Sequence, residues 1–101
     1  MSARSILAWA SAGALSANIV PHLAHAVSGS PFPTPFADPP GRGDSSPMLN
    51  AVWAGVNAAG TAALIYAQRT GARDRRSWLA AGAGATIAGV GVRAYFRSLD
   101  R

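Results

Sequence analysis

The chain has 101 residues, half of them hydrophobic and only 13% charged, and its net charge of +5 rests on nine arginines with no lysine. An ordinary soluble domain carries roughly a quarter of its residues as charges, so this composition argues against one, and arginines gathered between apolar runs do not make the basic stripe of a nucleic-acid binder. Cysteine is absent, which excludes a disulfide framework, a thiolate metal site and a cysteine nucleophile.

The first expected element is a helix over 5–27. Ile6 to Val20 holds no charge, and the apolar character runs past Pro21, His22 and His25 to Val27. Two readings fit. One is a membrane span. The other is a secretory signal peptide, with Arg4 as its basic start, Ile6 to Val20 as its apolar centre, Pro21 as a breaker and Ala24-His25-Ala26 as a small-x-small cleavage site. Retention is favoured by a polar line: at about 100° per residue, Ser11, Asn18, His22 and His25 fall within about 60° of one another. A discarded peptide has no use for such a stripe.

A connection over 28–46 follows. Prolines at 31, 33, 35, 39, 40 and 47 forbid regular helix or a central strand. Alternating with Phe32, Thr34 and Phe36, they favour an extended, polyproline-like path. Its phenylalanines are expected to fold back on the helix ends or dip into the headgroup region. The segment reads either as a rigid cover over the bundle mouth or as a docking segment for a partner with an aromatic-lined groove.

A second helix is expected over 47–69. Met48 to Ala67 is uncharged, close to the roughly 20 residues that span a bilayer core. Ser46-Pro47 supplies an N-cap and first turn, and Gly71 a stop. Asn50, Asn57, Thr61 and Gln68 share an arc of about 40°, and Ala51, Gly55, Ala59 and Ala63 form a small-residue row that permits close packing in lipid. The third helix is expected over 77–97, capped by Ser77 or Asp74, uncharged from Trp78 to Val92 and extended by Tyr95 and Phe96. Thr86, Arg93 and Arg97 share one of its arcs, and Ala80, Gly84 and Ala88 lie beside Ala81, Ala85 and Gly89 on another.

So short a chain cannot bury three such helices from water, and each is apolar on nearly all sides. The expected fold is therefore all-α, one membrane domain over 1–101: a three-helix transmembrane bundle with a proline-rich external loop between helices 1 and 2. Trp9, Trp53, Tyr66, Trp78, Tyr95 and Phe96 fall near the helix ends, where amphipathic rings settle at the headgroups. Arg4 together with Arg69, Arg73, Arg75 and Arg76 puts the N-terminus and the second connection in the cytoplasm by the positive-inside rule. Arg93, Arg97 and Arg101 on the outer side run against that rule.

Polar side chains in a bilayer turn toward each other or toward water, so the three stripes are expected to share one interior. Asn18 would lie near the depth of Asn57, and His22, His25 and Arg93 near the outer leaflet. The candidate residues are Asn18, His22, His25, Asn50, Asn57, Arg93 and Arg97, as a polar interior or as contacts to a partner or to lipid. Arg93 and Arg97 could hold lipid phosphate or could snorkel. His22 and His25 could give two metal ligands, but the rest could come only from Asp38, Asp44 or Met48 across a loop; we assign no metal and no cofactor. No catalytic motif and no carboxylate within an expected span is present, so no enzyme is expected.

The series Asn18-x-x-Pro21-His22, Phe32-Pro33-Thr34-Pro35-Phe36 and Ser46-Pro47-x-x-Asn50-x-x-Trp53, with Asn57, resembles a pattern in small, uncharacterised bacterial integral membrane proteins. The resemblance implies an uncleaved first helix and a bacterial inner membrane, and it implies no chemistry. The expected role is a non-enzymatic accessory or structural subunit that engages a larger membrane protein or lipid headgroups, with self-association through glycine and alanine faces as a further option. The alternative is an oligomeric small-solute transporter or channel subunit lined by the polar stripes.

Overall fold

The computed structural model describes residues 1–71 and 73–99; Arg101, expected on the outer side, lies outside them. Three helices account for most of the chain: α1 (Ala3–Ser28), α2 (Pro47–Ala67) and α3 (Arg75–Ser98), with two-residue strands β1 (Phe32–Pro33) and β2 (Asp44–Ser45) between the first two. All three helices are long and apolar enough to cross a membrane. The 21 residues of α2 give a length of about 31 Å, and the longest dimension of the molecule, 42 Å, matches a bilayer with its headgroups.

Local chemistry sets the ends. The Ser2 hydroxyl accepts from the Ser5 N–H at the start of α1, and Gly29, at φ 71°, closes it, a left-handed position that suits glycine. Ser46 accepts from the Leu49 N–H with Pro47 in the first turn of α2, as the sequence suggested. At α3 both proposed caps act together: Asp74 is the N-cap, and the Ser77 hydroxyl at the third position accepts from the Asp74 backbone N–H. Helix α1 runs through Pro21 to Ser28, one residue past the expected end, since a membrane helix tolerates the single backbone bond that proline removes. One expectation changes. Helix α2 ends at Ala67 with Gln68 as its cap, ahead of Gly71, because the backbone N–H of Gln68 already bonds back to Ile65.

Helix α1 is the shared element. Both α2 and α3 pack along it and hardly touch each other. The α1–α2 pair is antiparallel, with Asn18 beside Asn57 and His22 beside Asn50. The α1–α3 pair runs in parallel, with the Trp9 and Trp78 rings 6.1 Å apart near one end and Phe32, just beyond α1, 4.5 Å from Phe96 at the other. Glycine makes this second contact possible. A Cβ on Gly13 would run into the Ala81 carbonyl, and one on Gly84 into the Ala10 carbonyl. The two backbones therefore meet reciprocally, the close approach that drives helix association in lipid.

The buried set is mostly small or polar: Ala12, Ala54, His22, Thr34, Asn50, Asn57 and Ser77 are enclosed, whereas Leu7, Val20, Val27, Val56, Ile87 and Val90 point outward. A protein in water would invert this; in a bilayer the apolar solvent takes the large side chains. Between α1 and α2, strands β1 and β2 pair antiparallel, Phe32 opposite Ser45 and Pro33 opposite Asp44. An isolated ribbon has only edges, so it accepts the prolines that exclude a central strand.

Gly84→Ala is expected to destabilise the protein in mild detergent by about 1–3 kcal/mol. Gly82→Ala, whose added Cβ meets nothing within 4 Å, should be neutral or gain up to about 1 kcal/mol from helix propensity. Thermal unfolding followed by tryptophan fluorescence separates the two, since Trp9 and Trp78 flank the contact.

Candidate functional site

The polar residues of α1 and α2 form a ladder along their seam. At mid-depth the Asn18 amide donates to Asn57 Oδ1 at 3.1 Å, and the Asn57 amide donates to the Trp53 carbonyl at 2.8 Å. One step toward the loop end, His22 Nδ1 lies 2.7 Å from Asn50 Oδ1. The Asn50 amide nitrogen meets three carbonyls, those of Phe32 at 3.0 Å, Ser46 at 3.1 Å and Ser45 at 3.3 Å. Facing only acceptors, that nitrogen fixes the orientation of the amide, so Oδ1 is turned to His22 and His22 Nδ1 must carry the proton. In the neutral ring the remaining nitrogen of His22, Nε2, keeps a lone pair.

The proline-rich segment closes this end. The Thr34 and Ser45 hydroxyls share a hydrogen bond of 2.6 Å, and the Thr34 carbonyl accepts from the backbone N–H groups of Ala37 and Gly41. Tyr95 of α3 donates its hydroxyl to the Gly41 carbonyl at 2.9 Å. Rings fill the remaining space. His22 meets Phe32, Trp53 and Phe96 edge-on at 5.6, 6.4 and 6.3 Å. His25 stacks on Phe32 at 3.9 Å, and its Nδ1 is buried without a hydrogen-bond partner among the described residues. The two histidines thus share a helix and the Phe32 ring, but of their side chains only that of His22 is hydrogen-bonded among the described residues. No group of three or more His, Asp or Glu side chains able to hold a metal occurs among the described residues.

Of the expected stripes, two meet and one does not. Asn18, His22, Asn50 and Asn57 come together, but Ser11 is exposed, as are Thr86, Arg93 and Arg97 of α3. The expectation of a single three-stripe interior is therefore corrected. Packing against α1 uses the Ala81 and Gly84 face of α3, because only small residues permit backbone contact. The arginine face is turned away as a result.

Arg93 and Arg97 instead border a groove of about 410 Å³ between α1 and α3, whose apolar walls include Ala17, Val20, Gly89, Val92 and Phe96. Beside it lies a cavity of about 280 Å³ that shares Val92 and Phe96, backed by Asn18 and His22 and walled by Trp53 and Tyr95. Sequence reasoning did not single out Trp53, Tyr95 or Phe96 as site residues. For Trp53 a signal existed, since it falls three residues after Asn50 and four before Asn57 on the same helical arc. The approach of Tyr95 to Gly41 has none.

No family model, curated protein or solved structure matches this chain.

Asn50→Leu is expected to cost about 2–3 kcal/mol of stability, as it leaves the His22 N–H and the loop carbonyls without their partner. Asn18→Leu removes one hydrogen bond and should cost less, about 1 kcal/mol. Detergent unfolding of the two variants side by side checks the order.

Proposed function

We propose that the protein is a non-enzymatic accessory or structural membrane subunit that holds phospholipid at its loop-bearing end and presents its outer helix faces to a larger membrane protein. The observation that carries this reading is the groove between α1 and α3. Its interior is apolar, and two exposed guanidinium groups one helical turn apart stand at its border. That is the distribution of a phospholipid, an acyl chain along Val20 and Gly89 and a phosphate on Arg93 and Arg97, and arginine binds phosphate through paired N–H donors. For the partner, support comes from the α2 row Ala51, Gly55, Ala59 and Ala63, which is exposed throughout, with nothing within 4 Å of a Cβ at Gly55.

A transport role finds less support. The ladder residues that would line a path are engaged with each other inside one chain, leaving few polar groups to face a neighbouring copy. We place the protein in a bacterial inner membrane, with the arginines at 73, 75 and 76 on the cytoplasmic side and the proline-rich loop outside, on the strength of arginine distribution and the sequence resemblance.

The test is phospholipid retained by the protein purified in mild detergent, read by native mass spectrometry. Wild type should carry phospholipid. Gly89→Leu, whose side chain enters the groove from a position with open space around its Cβ, and the double variant Arg93→Gln/Arg97→Gln should each lower occupancy about tenfold, equivalent to about 1.4 kcal/mol. Equal occupancy in all three would contradict the reading.

A further inference from the structure

Arginines account for a phosphate but leave the neighbouring cavity unexplained. We infer that this cavity receives the primary ammonium group of a zwitterionic phospholipid of the ethanolamine type, whose phosphate lies on Arg93 and Arg97. The inference rests on the reading of the groove as a phospholipid site and names which phospholipid that site prefers.

The cavity has a chemistry opposite to that of the groove. Among the described residues no charged side chain lines it, and its walls carry the rings of Trp53, Tyr95 and Phe96. Aromatic faces are electron-rich and attract cations, most strongly for tryptophan. Asn18 and His22 also line it, and each has a spare acceptor. His22 gives its only proton to Asn50, which leaves Nε2 as a lone pair, and Asn18 uses its amide nitrogen on Asn57, which leaves Oδ1 with no donor among the described residues. Two acceptors without donors, among three aromatic rings, suit a group that brings its own N–H bonds and a positive charge. An anion would meet lone pairs and ring faces. A trimethylammonium group would use the rings but neither acceptor.

Position joins the two sites. The groove and the cavity share Val92 and Phe96, so the two sites adjoin at these side chains, and the proposal requires the two-carbon link of the headgroup to pass the edge of the Phe96 ring. A volume of about 280 Å³ has room for roughly nine waters, or for the amine with part of its hydration. The phosphate also offsets the repulsion that a free amine would feel from Arg93 and Arg97, which favours the lipid over a soluble amine.

Gly91 gives a selective test. It lines the cavity and not the groove, and a Cβ there meets nothing within 4 Å, so Gly91→Leu fills the cavity without displacing the helix. The full-length protein would be titrated with phosphatidylethanolamine, phosphatidylcholine and phosphatidylglycerol of matched chains, with binding read by native mass spectrometry. The proposal expects phosphatidylethanolamine to bind about tenfold better than either competitor, Gly91→Leu to remove that preference while keeping phospholipid bound, and the Gly91→Ala control to retain it. Equal binding of ethanolamine and choline lipids, or a preference that survives Gly91→Leu, would overturn the ammonium site. Phosphatidylglycerol bound as well as phosphatidylethanolamine, and still lost in Gly89→Leu, would overturn it while leaving the groove reading intact. No phospholipid bound at all would overturn both.

Discussion

The Asn50 side chain ties together three pieces of chain: α1, the proline-rich loop and the start of α2. Its oxygen takes the proton of His22 on α1, and its nitrogen reaches the carbonyls of Phe32, Ser45 and Ser46 on the loop and at the start of α2. In lipid these groups have no water to turn to, so each unmade bond is costly. One buried amide therefore fixes the seam of the first two helices, the path of the proline-rich loop and the protonated nitrogen of the histidine. The cavity chemistry follows from that last choice: because Nδ1 is committed to Asn50, Nε2 is left as an acceptor.

The second constraint is the close approach of α1 and α3. Glycine at 13 and 84 lets the backbones meet, and this contact decides which face of α3 is inside. With its small face spent on α1, α3 must turn Arg93 and Arg97 outward to the edge of the groove. Polar pairing on one side of α1 and glycine packing on the other are different solutions to the same problem, since apolar side chains gain little by leaving lipid for one another. Two aromatic layers mark the ends: Trp9 and Trp78 with Arg73 5.7 Å from the Trp9 ring, and the Phe32, Trp53, Tyr95 and Phe96 group under the loop.

Much of this was legible in the sequence because it depends on local period. Uncharged runs gave the three spans, Ser46-Pro47 and Asp74 gave two helix starts, and helical spacing put Asn18 and His22 on one arc and Asn50 and Asn57 on another. The depth match of Asn18 with Asn57 followed from running two helices antiparallel. What periodicity cannot supply is the neighbour that a given face meets. The arc of Thr86, Arg93 and Arg97 was sound as an arc, but its partner was not: Gly13, a lone glycine in α1, drew the other face of α3 inward. The ribbon of Phe32–Pro33 with Asp44–Ser45 and the Tyr95 to Gly41 bond join segments far apart in sequence, and no local signal carries them.

The polar seam and the glycine packing both use α1. Helices α2 and α3 hardly touch without it, and it supplies both His22 for the polar seam and Gly13 for the close packing. The most direct measurement is the intact mass of the protein purified from its own membrane. The account predicts a mass that includes residues 1–26. A mature chain starting at Val27, cut after Ala24-His25-Ala26, would contradict it, because such a chain would lack the seam with α2, the packing with α3 and the Asn18 and His22 wall of the cavity.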